Sequence, residues 1–284
     1  MSQMQDKICV ITGATSGVGL QTAIGLAVVG ARLVLIGRDP ARGVAAVDMI
    51  KRRAPSADIA IHYADLVRLD KVRDLGAALH AALPRIDVLI NNAGAIFQRR
   101  ESTAYGLEKT FALNHMAYFL LSELLRERIV ASAPSRIVNV ASEAHRGATL
   151  DFDDLQSERR YSGFRAYQRS KLCNILFTRE LARRLDGTGV TVNCLHPGFV
   201  ASRFGDDNGG LFGVAVKLAK RIAAITPERG AATSVYLATS PDVAARTGGY
   251  YDKCRLATPS AAAQDDAVAR RLWEVSARIA GIAP

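Results

Sequence analysis

The stretch from residue 7 to residue 30 constrains the fold more than any other part of the chain. Residues 7–12 form an apolar, β-branched run that is typical of a buried strand. A glycine-rich segment follows, and a helical pattern then runs over 18–29 and stops at Gly30. Glycines let the backbone approach a phosphate closely, and a helix N-terminus offers unpaired N–H groups. We therefore predict a phosphate-binding turn formed by Gly13, Thr15, Ser16, Gly17, Val18 and Gly19.

Strand and helix patterns alternate along most of the chain, with short connections. This alternation predicts one α/β domain over residues 1–284, a Rossmann fold whose doubly wound parallel sheet of about seven strands carries helices on both faces. The predicted strands are 7–12, 31–36, 58–63, 86–90, 136–140, 190–195 and 247–251. The predicted helices are 18–29, 40–53, 69–83, 105–131, 164–185, 226–239 and 265–280.

The residues after the second predicted strand bear on the choice of dinucleotide. In dinucleotide-binding folds this strand end faces the adenosine ribose, where an acidic residue would repel a 2′-phosphate. Here Gly37 is at the strand end and Arg38 follows, and a guanidinium suits phosphate recognition. We therefore predict NADP(H) over NAD(H). The alternative is that Arg38 is a surface arginine and that Asp39 caps the helix beginning near Pro40.

Candidate ligand-binding residues follow several of the predicted strands. Gly13, Asp65, Asn92 and Ser142 each lie at or just past a carboxyl end, where open parallel sheets bind their ligands. Asn114 is a further candidate, because asparagine is unfavourable within the apolar helix pattern of 105–131. If buried, its side chain needs partners elsewhere or bonds its own helix.

Tyr167 and Lys171 are four residues apart in a predicted helix, so they share one face. A free tyrosine titrates near ~10, and a neighbouring positive charge lowers that pKa by favouring the phenolate. Such a pair can donate and accept protons near neutral pH. A half-buried ring beside a solvated lysine is the plainer interpretation of the pair taken alone.

Composition and charge argue against a membrane-spanning, a secreted or a nucleic-acid-binding protein. No apolar run reaches the ~18 residues that span a bilayer, and because only residues 1–7 precede the first predicted strand we expect no signal peptide or anchor. The four cysteines are scattered without a CxxC pair, which predicts free thiols, no metal site and a cytoplasmic location. The basic residues behind the net charge of +10 are spread over helices, so no nucleic-acid partner is expected.

Residues 199–226 have the least defined pattern. A stretch at 205–213 that we expect to be flexible leads into a basic amphipathic helix pattern at 211–225. We expect a lid over an apolar substrate, and 211–225 is also a candidate for peripheral membrane contact. A helix simply packed on the domain is the plainer interpretation. The polar residues 147–164 read as a surface loop over one rim.

Over nearly its whole length the chain resembles the short-chain dehydrogenase/reductase family. The shared motifs are 12–19, Asn91-Asn92-Ala93-Gly94, Asn114, Ser142, Tyr167 with Lys171, and Pro197-Gly198. Within the family it resembles the retinol dehydrogenase branch. The segments that carry this likeness are 37–39, 114–115, 138–142, 170–174 and 270–273. Light-dependent protochlorophyllide reductases share part of the pattern.

The resemblance implies roles for these residues. Tyr167 would be the general acid in carbonyl reduction, and Lys171 would lower its pKa and hold the nicotinamide ribose. Ser142 would polarise the carbonyl, and Asn114 would position a water for proton resupply. Besides the glycine-rich turn and Arg38, the implied cofactor contacts are Asp65, Leu66, Asn92, Ala93, Gly94, Tyr167, Lys171, Pro197, Gly198, Val200 and Ser202.

The resemblance therefore implies an NADP(H)-dependent oxidoreductase that interconverts a lipophilic alcohol and its aldehyde or ketone. A dinucleotide-binding redox sensor without turnover is the alternative, although such a protein would typically lack the tyrosine or the lysine. A homodimer through the helices around Asn114 and Tyr167 is also implied, unless the loop at 147–164 covers that surface.

Overall fold

One eight-stranded sheet lies at the centre of the computed structural model, which describes residues 4–198 and 226–283. The strands are β1 (Ile8–Thr12), β2 (Arg32–Gly37), β3 (Ile59–Tyr63), β4 (Val88–Asn91), β5 (Ser135–Val140), β6 (Val190–His196), β7 (Tyr250–Asp252) and β8 (Arg255–Ala257). Their spatial order is β3-β2-β1-β4-β5-β6-β7-β8. All neighbouring pairs are parallel except β7 and β8.

Helices cover both faces of this sheet. They are α1 (Gly17–Val28), α2 (Pro40–Arg53), α3 (Leu69–Ala82), α4 (Ala117–Ala131), α5 (Gly163–Arg184), α6 (Pro227–Thr239) and α7 (Asp266–Ala280). One hydrophobic cluster joins the sheet to α1, α2 and α6, and a second joins it to α3, α4, α5 and α7. The predicted doubly wound α/β fold is confirmed, with eight strands where about seven were expected.

The strand order reverses at β1, which pairs with β2 on one side and with β4 on the other. The crossovers on the two sides of this point run over opposite faces of the sheet, so a crevice opens beyond the carboxyl ends of β1 and β4. The residues that follow β1, β4 and β5 therefore converge on one edge of the molecule.

The eighth strand forms a hairpin that the sequence analysis does not predict. Lys253 and Cys254 join β7 to β8 with φ values of 47° and 61°. Two consecutive positive φ values are typical of a tight hairpin turn that usually contains asparagine or glycine. Because neither residue is of that type, the turn carries no local signal. The strand predicted at 247–251 also begins later, at Tyr250.

The helix predicted over 105–131 is wrong in its first turn. Ser102 and Glu108 form an isolated antiparallel bridge, and Gly106 within the turn has φ +72°. The Glu108 carboxylate then caps the helical segment Lys109–Phe111 by accepting from the amides of Thr110 and Phe111, each at 2.8 Å. This carboxylate is only 1% exposed, so tertiary burial of a cap sets the helix start.

A π-helical turn, Ala112–Met116, connects this segment to α4. Single π turns widen a helix locally and are frequent at functional sites. Asn114 lies within this turn and is fully buried. The π turn therefore determines where Asn114 lies, the asparagine that is unfavourable in the predicted helix pattern.

Helix α7 is anchored by an aromatic cluster on the second face of the sheet. The Trp273 ring lies 4.9 Å from Phe119 of α4 and 6.0 Å from Phe177 of α5, measured between centroids. Nε2 of the buried His115 lies 2.8 Å from the Ser276 hydroxyl. The C-terminal helix thus packs directly on α5, the helix that carries Tyr167 and Lys171.

Candidate active site

The glycine-rich turn after β1 brings three backbone segments into contact. A Cβ on Gly13 would lie 2.9 Å from the Ala93 Cα, and a Cβ on Gly19 would overlap the Gly13 carbonyl oxygen and the Asn92 amide. Gly13 and Gly17 also have φ values of +65° and +55°. A side chain cannot be accommodated at Gly13 or Gly19. A ligand could therefore approach the backbone of the turn closely.

The N-terminus of α1 has its own amide groups free of a side-chain cap. Ser16 is the N-cap residue but makes no capping hydrogen bond, and the first turn contains no acidic residue. Unpaired N–H groups and the helix dipole together favour an anion at this position. The turn and the helix therefore fit a pyrophosphate group.

Arg38 and Asp39 follow β2 at the same edge. Asp39 caps α2 by accepting from the amides of Ala41 (2.9 Å) and Arg42 (3.2 Å), which confirms its capping role. Arg38 is exposed and makes no ion pair with any described residue. Gly37 packs against the Thr15 side chain, which places the glycine-rich turn beside the strand that ends at Arg38.

Asn92 is tied to β1 by the side chain and backbone of one threonine. The Thr12 hydroxyl accepts from the amides of Asn92 (2.8 Å) and Ala93 (3.0 Å), and the Asn92 side chain donates to the Thr12 carbonyl at 2.8 Å. Thr12 is not among the predicted site residues. It holds the 92–94 segment against the glycine-rich turn.

The remaining predicted cofactor contacts lie around this crevice. Asp65 is exposed and accepts from the Val67 amide at 3.2 Å, whereas Leu66 is buried. Pro197 and Gly198 directly follow β6. Val200, Ser202, the predicted lid over 199–226 and the amphipathic pattern at 211–225 lie outside the described residues, save Thr226, the N-cap of α6.

Asn114 joins the end of β4 to α5. Its Oδ1 accepts from the Ala95 amide, and its Nδ2 donates to the Ala95 carbonyl and to the Ser170 hydroxyl, each at 2.9 Å. Ser170 in turn donates to the Tyr167 carbonyl at 2.8 Å. The side chain therefore bonds tertiary partners, and not its own helix.

Tyr167, Lys171 and Ser142 meet at the end of β5. The Lys171 ammonium donates to the Val140 carbonyl at 2.8 Å and lies 5.7 Å from the centre of the Tyr167 ring. The Ser142 hydroxyl hydrogen-bonds the Tyr167 side chain. A Cβ on Gly94 would lie 3.5 Å from the same ammonium, so the 92–94 segment borders this group.

Burial controls the charge state of the two titratable groups. It raises the pKa of Tyr167 to about 12, although the hydrogen bond with Ser142 acts in the opposite direction. Burial lowers the pKa of Lys171 to about 7. The predicted lowering of the Tyr167 pKa by Lys171 is therefore wrong, because desolvation disfavours both charged forms and so raises the phenol pKa and lowers the amine pKa. At neutral pH the phenol holds its proton.

Neither a membrane-spanning helix nor a metal site is found among the described residues. No helix within 4–198 or 226–283 is long and apolar enough to cross a membrane. No group of His, Cys, Asp or Glu side chains in that part of the chain could hold a metal ion.

The comparisons with known proteins agree with this geometry. The model of the short chain dehydrogenase family matches residues 7–209. Human retinol dehydrogenase 13 is 39% identical over 97% of this chain and 85% of its own length. Mouse retinol dehydrogenase 14 is 41% identical over 98% of this chain and 87% of its own length.

Solved structures also resemble this chain in fold. An uncharacterised protein from Mycobacterium paratuberculosis superposes with a TM-score of 0.79 at 28% identity, over 98% of this chain and 94% of its own. The Pseudomonas aeruginosa RhlG/NADP complex superposes with a TM-score of 0.69 at 27% identity, over 88% of this chain and 95% of its own.

The family match and the relatives cover nearly all of the fold that positions Ser142, Tyr167 and Lys171. Members of this family bind a nicotinamide dinucleotide and interconvert alcohols and carbonyl compounds. The chain therefore belongs to the short-chain dehydrogenase/reductase family, as a retinol dehydrogenase-like oxidoreductase.

Proposed function

We propose that this protein is an NADP(H)-dependent reductase or dehydrogenase that interconverts a lipophilic alcohol and its aldehyde or ketone. The observation that carries the proposal is the meeting of Ser142, Tyr167 and Lys171 at the carboxyl end of β5, bordered by Gly94. A proton donor, a second hydroxyl and a buried amine are thereby gathered beside a turn that fits a pyrophosphate.

The cofactor, when bound, supplies or accepts the hydride. The glycine-rich turn and the N-terminus of α1 hold its pyrophosphate, because their backbone N–H groups are open and no side chain intervenes. Arg38 pairs with the 2′-phosphate. Its exposure and its freedom from ion pairs with described residues support this assignment.

Tyr167 serves as the proton donor to the substrate oxygen in the direction of reduction. Its raised pKa means that the phenol is protonated at neutral pH, which is the state that an acid needs. The Ser142 hydroxyl hydrogen-bonds the same oxygen and polarises the carbonyl. The existing hydrogen bond between the two side chains supports a shared target.

Lys171 and Asn114 support the proton donor from α5 and from the π turn. Lys171 holds the nicotinamide ribose and exchanges protons at its amine, and its pKa of about 7 allows both charge states near neutral pH. Asn114 bonds the amide and the carbonyl of the half-buried Ala95 and donates to Ser170, the residue next to Lys171. We assign it the positioning of water for proton resupply.

The substrate class rests on the relatives. Proteins named retinol dehydrogenase match the chain at about two fifths identity over nearly its full length, and retinol is a lipophilic alcohol. We therefore assign a lipophilic alcohol and the corresponding carbonyl compound as the substrate pair.

NADPH consumption by the purified protein tests the proposal. Aliphatic aldehydes, retinal, steroid ketones and quinones are offered in parallel, each with NADPH and with NADH. Rapid oxidation of NADPH by one class is the expected result. Tight NADPH binding without turnover on any carbonyl would instead favour a dinucleotide sensor, and equal rates with NADH would contradict the role of Arg38.

A further inference from the structure

A single peptide group beside the candidate site lies between two histidines. The carbonyl oxygen of Ser142 is 2.7 Å from Nδ1 of His145. The amide of Glu143 donates to Nδ1 of His196 at 3.1 Å. This carbonyl and this amide belong to the same peptide bond, and the histidines come from a 3₁₀ turn after β5 and from the end of β6.

The hydrogen bonds assign a neutral tautomer to each ring. The Ser260 amide donates to Nε2 of His145 at 3.1 Å, so Nε2 is an acceptor. Nδ1 of His145 must then carry the proton, and it donates to Ser142. His196 accepts at Nδ1, so its proton is on Nε2. One ring therefore donates to the carbonyl of this peptide group, and the other accepts from its amide.

Packing holds the first of these rings in place. His145 is fully buried, and its ring meets the Tyr250 ring edge-on at 5.2 Å. The Tyr250 hydroxyl donates to the Glu143 carboxylate at 2.9 Å, and the same carboxylate pairs with Arg146. The chain that follows the Ser142–Glu143 peptide is therefore fixed to β7.

Burial keeps both imidazoles neutral, which is the form that these hydrogen bonds to the Ser142–Glu143 peptide require. It lowers the pKa of His145 and of His196, against the opposing effect of Glu143 on each. A neutral ring retains one acceptor nitrogen, whereas a protonated ring has none. The charged groups facing the pair are Glu143, Arg146, Asp252 and Lys253.

We propose that His145 and His196 are positioning residues that orient the Ser142 hydroxyl by clamping the Ser142–Glu143 peptide. The inference rests on the role given to Ser142 under the proposed function. The Ser142 side chain branches from the Cα next to the clamped carbonyl, so a rotation of this peptide that carries the Cα with it moves the hydroxyl away from Tyr167. A misplacement of about 1 Å can reduce a rate by about 10²-fold.

Matched substitutions separate positioning from a general structural role. Asparagine places a polar atom where the histidine Nδ1 lies, whereas glutamine places it one carbon further out. His145→Asn and His196→Asn therefore keep the bond to the peptide, and His145→Gln and His196→Gln lose it. We expect each Gln variant to lose about tenfold in kcat with NADPH affinity unchanged, and each Asn variant to retain most of its activity.

A double-mutant cycle with Ser142→Ala tests the route of the effect, since residues that act through one another are non-additive. In the Ser142→Ala background the Gln substitutions should cause no further loss of kcat. Equal proportional losses in both backgrounds, or Asn variants as impaired as Gln variants, would overturn the inference.

Amide hydrogen exchange at Glu143 provides a readout that does not depend on turnover. His196→Gln should accelerate exchange at this amide, and His196→Asn should not. If the wild-type protein shows no turnover, the proposed function fails, while accelerated exchange would still establish the clamp. Unchanged exchange in His196→Gln would refute the clamp whatever the activity.

Discussion

The Lys171 ammonium donates a hydrogen bond of 2.8 Å to the carbonyl of Val140, two residues before Ser142. This bond joins α5 to the carboxyl end of β5 and holds a buried amine close to the Tyr167 ring. Lys171 is only 3% exposed, so its charge state depends strongly on its surroundings.

The buried amine makes stability depend on pH. Burial lowers the Lys171 pKa from 10.5 in the unfolded chain to about 7 in the folded protein. Between these values the unfolded state binds more protons, so this group makes the free energy of unfolding rise with pH, by at most about 1.4 kcal/mol per pH unit. Lys171→Met should flatten the rise in urea denaturation series between pH 7 and pH 9.

Lys51→Met is the control for that series, because Lys51 is exposed on α2. Other groups titrate in the same range, and the comparison between variants cancels their contribution. An unchanged pH slope in Lys171→Met would mean that the amine is not buried in its neutral form.

Arg38 should determine the preference between the two dinucleotides. A hydrogen-bonded charge pair contributes about 1.5–3 kcal/mol, so Arg38→Ala should weaken NADPH binding roughly 10- to 100-fold and leave NADH binding nearly unchanged. Dissociation constants from fluorescence titration measure this directly. Arg52→Ala, an exposed arginine at the far end of α2, serves as the control. Equal losses for both dinucleotides would refute the assignment.

Gly19 should be essential for cofactor binding for a steric reason alone. A Cβ at this position would overlap the Gly13 carbonyl oxygen and the Asn92 side chain, whereas one at Gly106 would meet nothing within 4 Å. Gly19→Ala is expected to displace the turn and weaken NADPH binding at least tenfold, because backbone approach to the pyrophosphate is lost. Gly106→Ala should bind normally, at the cost of about 1 kcal/mol of stability from its positive φ.

Trp273 should be a major source of stability for α7. It is 3% exposed and packs against Phe119 and Phe177, so Trp273→Ala should lower the free energy of unfolding by about 3–5 kcal/mol. Phe164 is 47% exposed, and Phe164→Ala should change it by less than about 0.5 kcal/mol. Similar values for the two variants in chemical denaturation would contradict the packing of α7 on α5.

Local patterns predicted most of the fold. The strands are buried apolar runs and the helix ends carry their own signals, such as Asp39 and Pro40 at the start of α2. Open parallel sheets bind ligands at the carboxyl ends of their strands. The strand pattern therefore predicted that Gly13, Asn92 and Ser142 lie at one edge of the sheet.

Features that depend on distant contacts could not be predicted. The late helix start at Lys109 requires the burial of Glu108, and the turn at Lys253 and Cys254 lacks the usual residue types. The pKa of Tyr167 depends on how deeply the fold buries it. The pairing of His145 with Ser260 joins residues that are far apart in the chain.

The most direct test of the central claim is the rate of NADPH oxidation by Tyr167→Phe with the best carbonyl substrate, alongside its NADPH dissociation constant. Tyr105→Phe, which removes the hydroxyl of a half-exposed tyrosine, is the control. We predict a loss of about 10²- to 10⁴-fold in kcat for Tyr167→Phe, with NADPH binding retained and the control unaffected. Turnover by Tyr167→Phe at close to the wild-type rate would contradict the assignment of Tyr167 as the proton donor.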